Sequence, residues 1–172
     1  RLQIIAEIGV NHDGDVQIAK RMIDYLSPLD INFIKFQTFN AKKLVSTNAR
    51  KANYQMKMSD GSSTQFEMLK KLELSSADYQ DLKEYCDSKG LTFLSTPFDI
   101  DALQFLQSIG CPFVKVPSGE IANVDFLNFI GRSNLGIVMS TGMARLSDIE
   151  WAVANLFYGY TAKQRPLSSK KV

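Results

Sequence analysis

Residues 92–119 read TFLSTPFDIDALQFLQSIGCPFVKVPSG, and this stretch decides the fold. TFLSTPF (92–98) and FVKVPSG (113–119) are apolar runs of strand length. DIDALQFLQSIG between them places apolar residues at three- and four-residue spacing, as an amphipathic helix does. Asp99 stands where an N-cap belongs and Gly110 where a helix stops. A strand, a helix and a second strand joined by short turns is a βα crossover, which makes the two strands parallel.

The same grammar extends in both directions. IIAEIGV (4–10), FIKFQTF (33–39) and GIVMSTG (136–142) read as further strands. VQIAKRMIDYLS, SADYQDLKEYCDSKG and the stretch from Leu146 to Phe157 read as helices, with Ser147 in the last one's N-cap region and Gly90 as a stop. Phe105, Trp151 and Phe157 read as core. Residues 40 to 75 break the pattern, being far longer than an ordinary βα loop. A loop of that length at the carboxyl end of a strand is expected to bind or cover a ligand. The βα turns contain no GxGxxG or Walker A sequence.

The 172 residues, 45% hydrophobic and 22% charged, suffice for one domain with a core. A net charge of +2 gives no electrostatic footprint for nucleic acid, and KQRPLSSKKV reads as a solvated tail. No run approaches the roughly 18 apolar residues of a membrane span, and the N-terminus does not read as a signal peptide. Cys86 and Cys111, without metal or CxxC spacing, read as reduced structural residues of a cytoplasmic protein. The chain opens almost directly on a strand, as if a few leading residues were absent.

The polar residues gather at the carboxyl ends of the strands. They are Glu7, Asn11 and His12, then Lys35 and Gln37, Ser95 and Thr96, Lys115, Ser118 and Glu120, and finally Ser140 and Thr141. Lys35, Lys115 and Glu7 interrupt apolar runs, where a helix-covered strand shows aliphatic side chains. An unpaired buried charge costs several kcal/mol or more, so each needs a partner or a ligand. Lysines and hydroxyls together suit a small, multiply charged anion. The plainer reading is a structural ion pair, Glu7 to Lys35 or Lys115 to Glu120. Asn11-His12-Asp13-Gly14 is turn-forming, and the lone His12 is open to a structural or a catalytic role. Tyr54 and Gln55 on the long loop could reach a ligand or simply pack.

AEIGVNHDGD, FIKFQTF, KANYQ, LSTPFD, VKVPSGE and STGM, in this order and spacing, resemble the sialic acid synthases, the N-acetylneuraminate synthase family. The resemblance runs from about Ile4 to Phe157 and implies an α/β fold, a TIM (β/α)8 barrel. This chain would supply about its first five βα units, making residues 1–172 a partial catalytic domain. The later strands and an antifreeze-like domain are expected outside it.

The implied activity condenses phosphoenolpyruvate with an open-chain N-acyl amino sugar, here N-acetylmannosamine, giving N-acetylneuraminate and phosphate. The implied cofactor is a divalent metal, manganese or magnesium, with ligands expected outside this chain. A homodimer is implied at full length. On matching positions, Lys35, Thr96, Lys115 and Ser118 would hold phosphoenolpyruvate, and Glu7 would stand beside the reacting carbons. Gln37 and Glu120 would contact the sugar, Ser140 lies at the matching strand end, and Tyr54 joins the substrate contacts. Glu7, Glu120, Lys35 and Lys115 are thus the expected catalytic set. The alternatives are an inactive fragment, or a legionaminate, pseudaminate or spore-coat-sugar synthase with another N-acyl acceptor. The turn reads NHDG where the family commonly has NHNG.

Overall fold

Alternation of apolar and polar residues gives each strand two faces, and the two faces meet different surroundings. The computed structural model describes residues 2–45 and 64–164. Strands β1 (Ile5–Gly9), β2 (Phe33–Thr38), β3 (Thr92–Pro97), β4 (Phe113–Val116) and β5 (Gly136–Met139) form one parallel sheet in sequential order. Sequential order with right-handed crossovers puts every connecting helix on the same side. These are the first five βα units of a TIM barrel.

The helices are α1 (Val16–Leu26), α2 (Ala41–Leu44), α3 (Gln65–Leu72), α4 (Ser76–Ser88), α5 (Ile100–Ser108), α6 (Val124–Arg132) and α7 (Leu146–Gln164). On the helix side, Ile34, Phe36, Phe93, Val114 and Val116 pack with Ile23, Leu82, Leu106, Leu127 and Ile130 into one core. At ~25 cal/mol per Å² this apolar burial is the main term holding the sheet to its helices. On the other side Phe33 and Phe113 meet edge to face at 5.6 Å, below Lys35, Leu94 and Lys115 in the neighbouring positions of the same face.

Local chemistry fixes the helix starts. Asp15 accepts from Gln17 and Ile18, Asp99 from Ala102, and Thr64 and Ser75 form capping boxes with Glu67 and Asp78. The long 40–75 stretch is bounded by α2 and α3, and its middle, with Tyr54 and Gln55, lies outside the described residues. Cys86 and Cys111 are free and buried, and burial pushes both thiols up to about 12, so they are inert core residues.

Three readings need correction. Ser147 lies inside the first turn of α7, and the residue at the cap position just before the helix is Arg145, whose N–H donates to Asp148 at 2.8 Å. The helix α6, capped by Asn123 accepting from Phe126, was not anticipated. Trp151 and Phe157 are not core: they are 58% and 65% exposed. The reason is a close helix crossing. Gly131 of α6 abuts the Leu156 backbone and Gly159 of α7 abuts the Asn128 carbonyl, which turns Ala152 inward and leaves Trp151 and Phe157 on the far side. Phe105, by contrast, is half-buried against the core.

A Gly159→Ala substitution therefore drives a methyl into the Asn128 carbonyl. It is expected to cost about 1–3 kcal/mol despite alanine's better helix propensity, read as a lower urea midpoint of the chain.

Candidate functional site

The inner face of the sheet carries charge where a packed barrel layer would carry aliphatic side chains. Register places Glu7 beside Lys35, and the two form an ion pair. The Lys35 side chain is 13% exposed and that of Glu7 is 45% exposed. Glu7 is thus less enclosed than a mid-strand position implies, because among the described residues β1 pairs with β2 alone.

Lys115, from β4, is the second cation of the group. Its ammonium titrates below the usual lysine range, first because burial penalises the charge, then because Lys35 repels it, while Glu7 opposes both. These mutual influences place all three groups within electrostatic reach. Lys35 alone pairs directly with Glu7, Lys115 feels that carboxylate at longer range, and no ion pair engages Lys115 among the described residues. The expected alternative pair, Lys115 to Glu120, does not form. Glu120 sits in the 3₁₀ turn Ser118–Glu120 and accepts from the Asn123 side-chain amide at 2.7 Å.

Hydroxyls and amides border the charges. Gln37 is aligned with Thr96, one step beyond Lys35 and Leu94. Thr96 is 2% exposed, and its hydroxyl has no hydrogen-bond partner among the described residues. A buried, unpaired hydroxyl costs roughly 1–3 kcal/mol, so its persistence on the same sheet face as Lys35 suits a ligand oxygen. Ser118 faces Gly142 beyond β5, and the Ser140 N–H donates to the Val116 carbonyl at 3.0 Å, so both hydroxyl residues border the β4–β5 end.

Ser95 is excluded from this face. Its hydroxyl lies 2.7 Å from Thr38 in the buried layer behind the sheet, as alternation with Thr96 demands. Tyr79 of α4, which the sequence reading missed, ties that layer down: its hydroxyl donates to the Gln37 carbonyl at 2.6 Å. Only the tyrosine's place in an amphipathic helix signals it in the sequence.

His12 is fully buried, its Nδ1 accepting from the Gly14 N–H at 3.1 Å. Burial lowers its pKa below the usual histidine value, against the Gly9 carbonyl and the Asp13 and Asp15 carboxylates. It is a neutral ring bracing the turn. A cleft of about 410 Å³ opens elsewhere, lined by Asn40, Lys43, Glu73, Tyr79, Asp101 and Phe105 among others. Much of its polar lining is already engaged: Lys43 pairs with Asp101, and Glu73 accepts from the Ala41 N–H. The charged cluster, not this cleft, is the better ligand site.

Comparison with known proteins decides the family. The NeuB family model matches residues 22–168. The chain belongs to the NeuB family. It is 43% identical over 150 residues to the N,N'-diacetyllegionaminic acid synthase of Campylobacter jejuni, covering 87% of this chain and 45% of that protein. The namesake from Legionella pneumophila is 44% identical over 158 residues, covering 91% and 44%. Among solved structures, the N-acetylneuraminic acid synthetase of Leptospira borgpetersenii, crystallised with citrate, superposes with a TM-score of 0.78. It is 32% identical, with 92% of this chain and 51% of that one covered. The NeuB-family chain thus spans about half the length of the relatives it matches.

Among the described residues no group of three or more His, Cys, Asp or Glu side chains could hold a metal ion. The described residues thus supply no such set for the divalent ion that the resemblance implies, whose ligands are expected outside this chain. No described helix is long and apolar enough to cross a membrane.

Replacing Thr96 by Val separates binding from folding. Losing an unpartnered hydroxyl should raise unfolding stability by about 1 kcal/mol while weakening binding of a small anion such as inorganic phosphate several-fold, measured by urea titration and calorimetry.

Proposed function

We propose that this NeuB-family chain carries the phosphoenolpyruvate half-site of a nonulosonate synthase. The observation that carries the reading is Lys115, a partly buried cation within electrostatic reach of Lys35, with no ion-pair partner of its own among the described residues. A trianionic enol phosphate supplies the missing negative charge. Lys35 and Lys115 hold its phosphate and carboxylate as point charges, and Thr96 and Ser118 give directional hydrogen bonds.

In the proposed reaction C3 of phosphoenolpyruvate forms a bond to the acceptor's aldehyde carbon, whose oxygen takes a proton. Water adds at C2, and the adduct breaks its C2–O bond to release phosphate, leaving a ketone at C2. Glu7 is the group placed to move a proton, since its carboxylate lies in the charged cluster. The two lysines offset charge on the departing phosphate. Gln37 and Glu120 are assigned to the sugar, with Ser140 at the neighbouring strand end. Metal ligands, where required, are assigned to the part of the relatives that this chain does not span. The protein is read as a cytoplasmic homodimer at full family length, acting on small molecules rather than on nucleic acid or membrane.

N-acetylmannosamine is the first acceptor reading, giving N-acetylneuraminate. The 43% and 44% identities to N,N'-diacetyllegionaminic acid synthases favour a second, a diacetamido sugar. The test is phosphate release at full family length, with phosphoenolpyruvate, manganese and each sugar in turn. Release that depends on one sugar supports the reading and names the acceptor. Phosphate release that is indifferent to any sugar contradicts it.

A further inference from the structure

Glu7 lies on a strand that pairs with β2 alone among the described residues, and its side chain is half-exposed, so packing alone does not fix where its carboxylate points. The backbone does more. Pairing between β1 and β2 slips between Glu7, opposite Lys35, and Gly9, opposite Phe36. A register shift of this kind, as at a bulge, re-aims the side chains beside it. At the slip Gly9 takes φ 57°, in the left-handed region. A Cβ at Gly9 would stand 2.8 Å from Glu7 Oε1 and 3.5 Å from Gln37 Nε2. The first distance is one that real Cβ atoms essentially never show. The Glu7 carboxylate that pairs with Lys35 therefore crowds the place of a Cβ at Gly9, and as the end of a flexible side chain it is the group that would move aside.

We propose that Gly9 is a positioning residue of the site: its missing side chain seats the Glu7 carboxylate against Lys35, as a resident counter-ion that an incoming anion must displace. The inference rests on reading the cluster as an anion site. It differs from a simple turn requirement, because asparagine tolerates positive φ several-fold better than most residues yet brings a Cβ. If only the turn mattered, Gly9→Asn would be silent. If the open space matters, Gly9→Asn dislodges Glu7 and frees Lys35.

The experiment measures acylation of Lys35 by an amine-reactive ester, quantified by mass spectrometry against exposed Lys42 in the same chain. An ammonium held by a carboxylate acylates slowly. Gly9→Asn and Glu7→Ala are each expected to speed Lys35 labelling about threefold to fivefold, and the double variant no more than Glu7→Ala alone. Phosphoenolpyruvate affinity should rise by a similar factor in the same variants. Wild-type labelling in Gly9→Asn, or additive effects in the double variant, overturns the proposal.

Gly9→Ala guards against a folding failure. An alanine variant that unfolds in the native background but folds with Glu7→Ala identifies the clash with the carboxylate. One that unfolds in both assigns Gly9 to the turn alone and overturns the proposal. If the labelling pattern holds while the unsubstituted chain binds no phosphoenolpyruvate, the positioning role stands and the anion reading falls.

Discussion

Lys115→Met is expected to lower the affinity of the chain for phosphoenolpyruvate by about a hundredfold. Truncating one partner of a desolvated charge pair costs roughly 2–5 kcal/mol, and each 1.4 kcal/mol is a factor of ten. The fold should not suffer. Methionine replaces the lysine stem with a chain of similar volume, and removing an ammonium that burial and Lys35 both disfavour relieves the folded state. The thermal midpoint is therefore expected to hold or rise while binding is lost. Parallel loss of binding and stability would instead mark Lys115 as structural.

The depressed Lys115 pKa adds a pH dependence. Its folded value lies below the unfolded value of 10.5, so between the two the unfolded chain holds more protons. Stability then rises with pH across that window, and this group's penalty is fully present below the folded value. Anion affinity runs the other way, falling as pH climbs through the folded value and the ammonium is lost. Lys115→Met should abolish this group's contribution to both trends.

Glu7→Gln is expected to lower turnover by about 10²–10⁴-fold in the protein at full family length, the range for loss of a positioned acid–base group. Phosphoenolpyruvate binding should at the same time tighten, since the substitution removes the negative charge that competes for Lys35. Steady-state phosphate release and calorimetry read the two effects separately. Weakened binding with turnover intact would assign Glu7 to holding the anion rather than moving a proton.

These expectations depend on how much of the site the chain itself declares. The strands were legible because apolar runs bounded by Gly, Asp and Asn leave little choice of element, and their alternation already sends Lys35 and Gln37 to one face. The same alternation separates Ser95 from Thr96, a distinction that grouping residues by strand end overlooks. Of the two ion pairs the sequence suggested, Glu7 to Lys35 forms and Lys115 to Glu120 does not. The first follows from the unbroken register Ile5–Phe33, Ala6–Ile34, Glu7–Lys35, whereas Glu120 is drawn aside by the Asn123 side-chain amide three residues on, a partner that strand alternation does not reveal.

Helix α6 did have a signal, Asn123 followed by apolar Val124, Phe126, Leu127 and Ile130. The inward face of α7 had none, because apolar residues occur on all sides of it. There the Gly131–Gly159 crossing makes the choice, and it exists only once two helices have met. The apolar face left outside, with Trp151, Phe157 and the exposed β5 residues Ile137 and Val138, accompanies an open sheet edge.

The central claim is that Lys35 and Lys115 form a site for phosphoenolpyruvate on this chain. Isothermal titration of the 172-residue chain with phosphoenolpyruvate tests it most directly, with inorganic phosphate and pyruvate as separate titrants. The account predicts saturable binding at one site, tighter than for either part alone because each lysine has its own anionic group to meet. A chain that is folded by circular dichroism and takes up no phosphoenolpyruvate would contradict it.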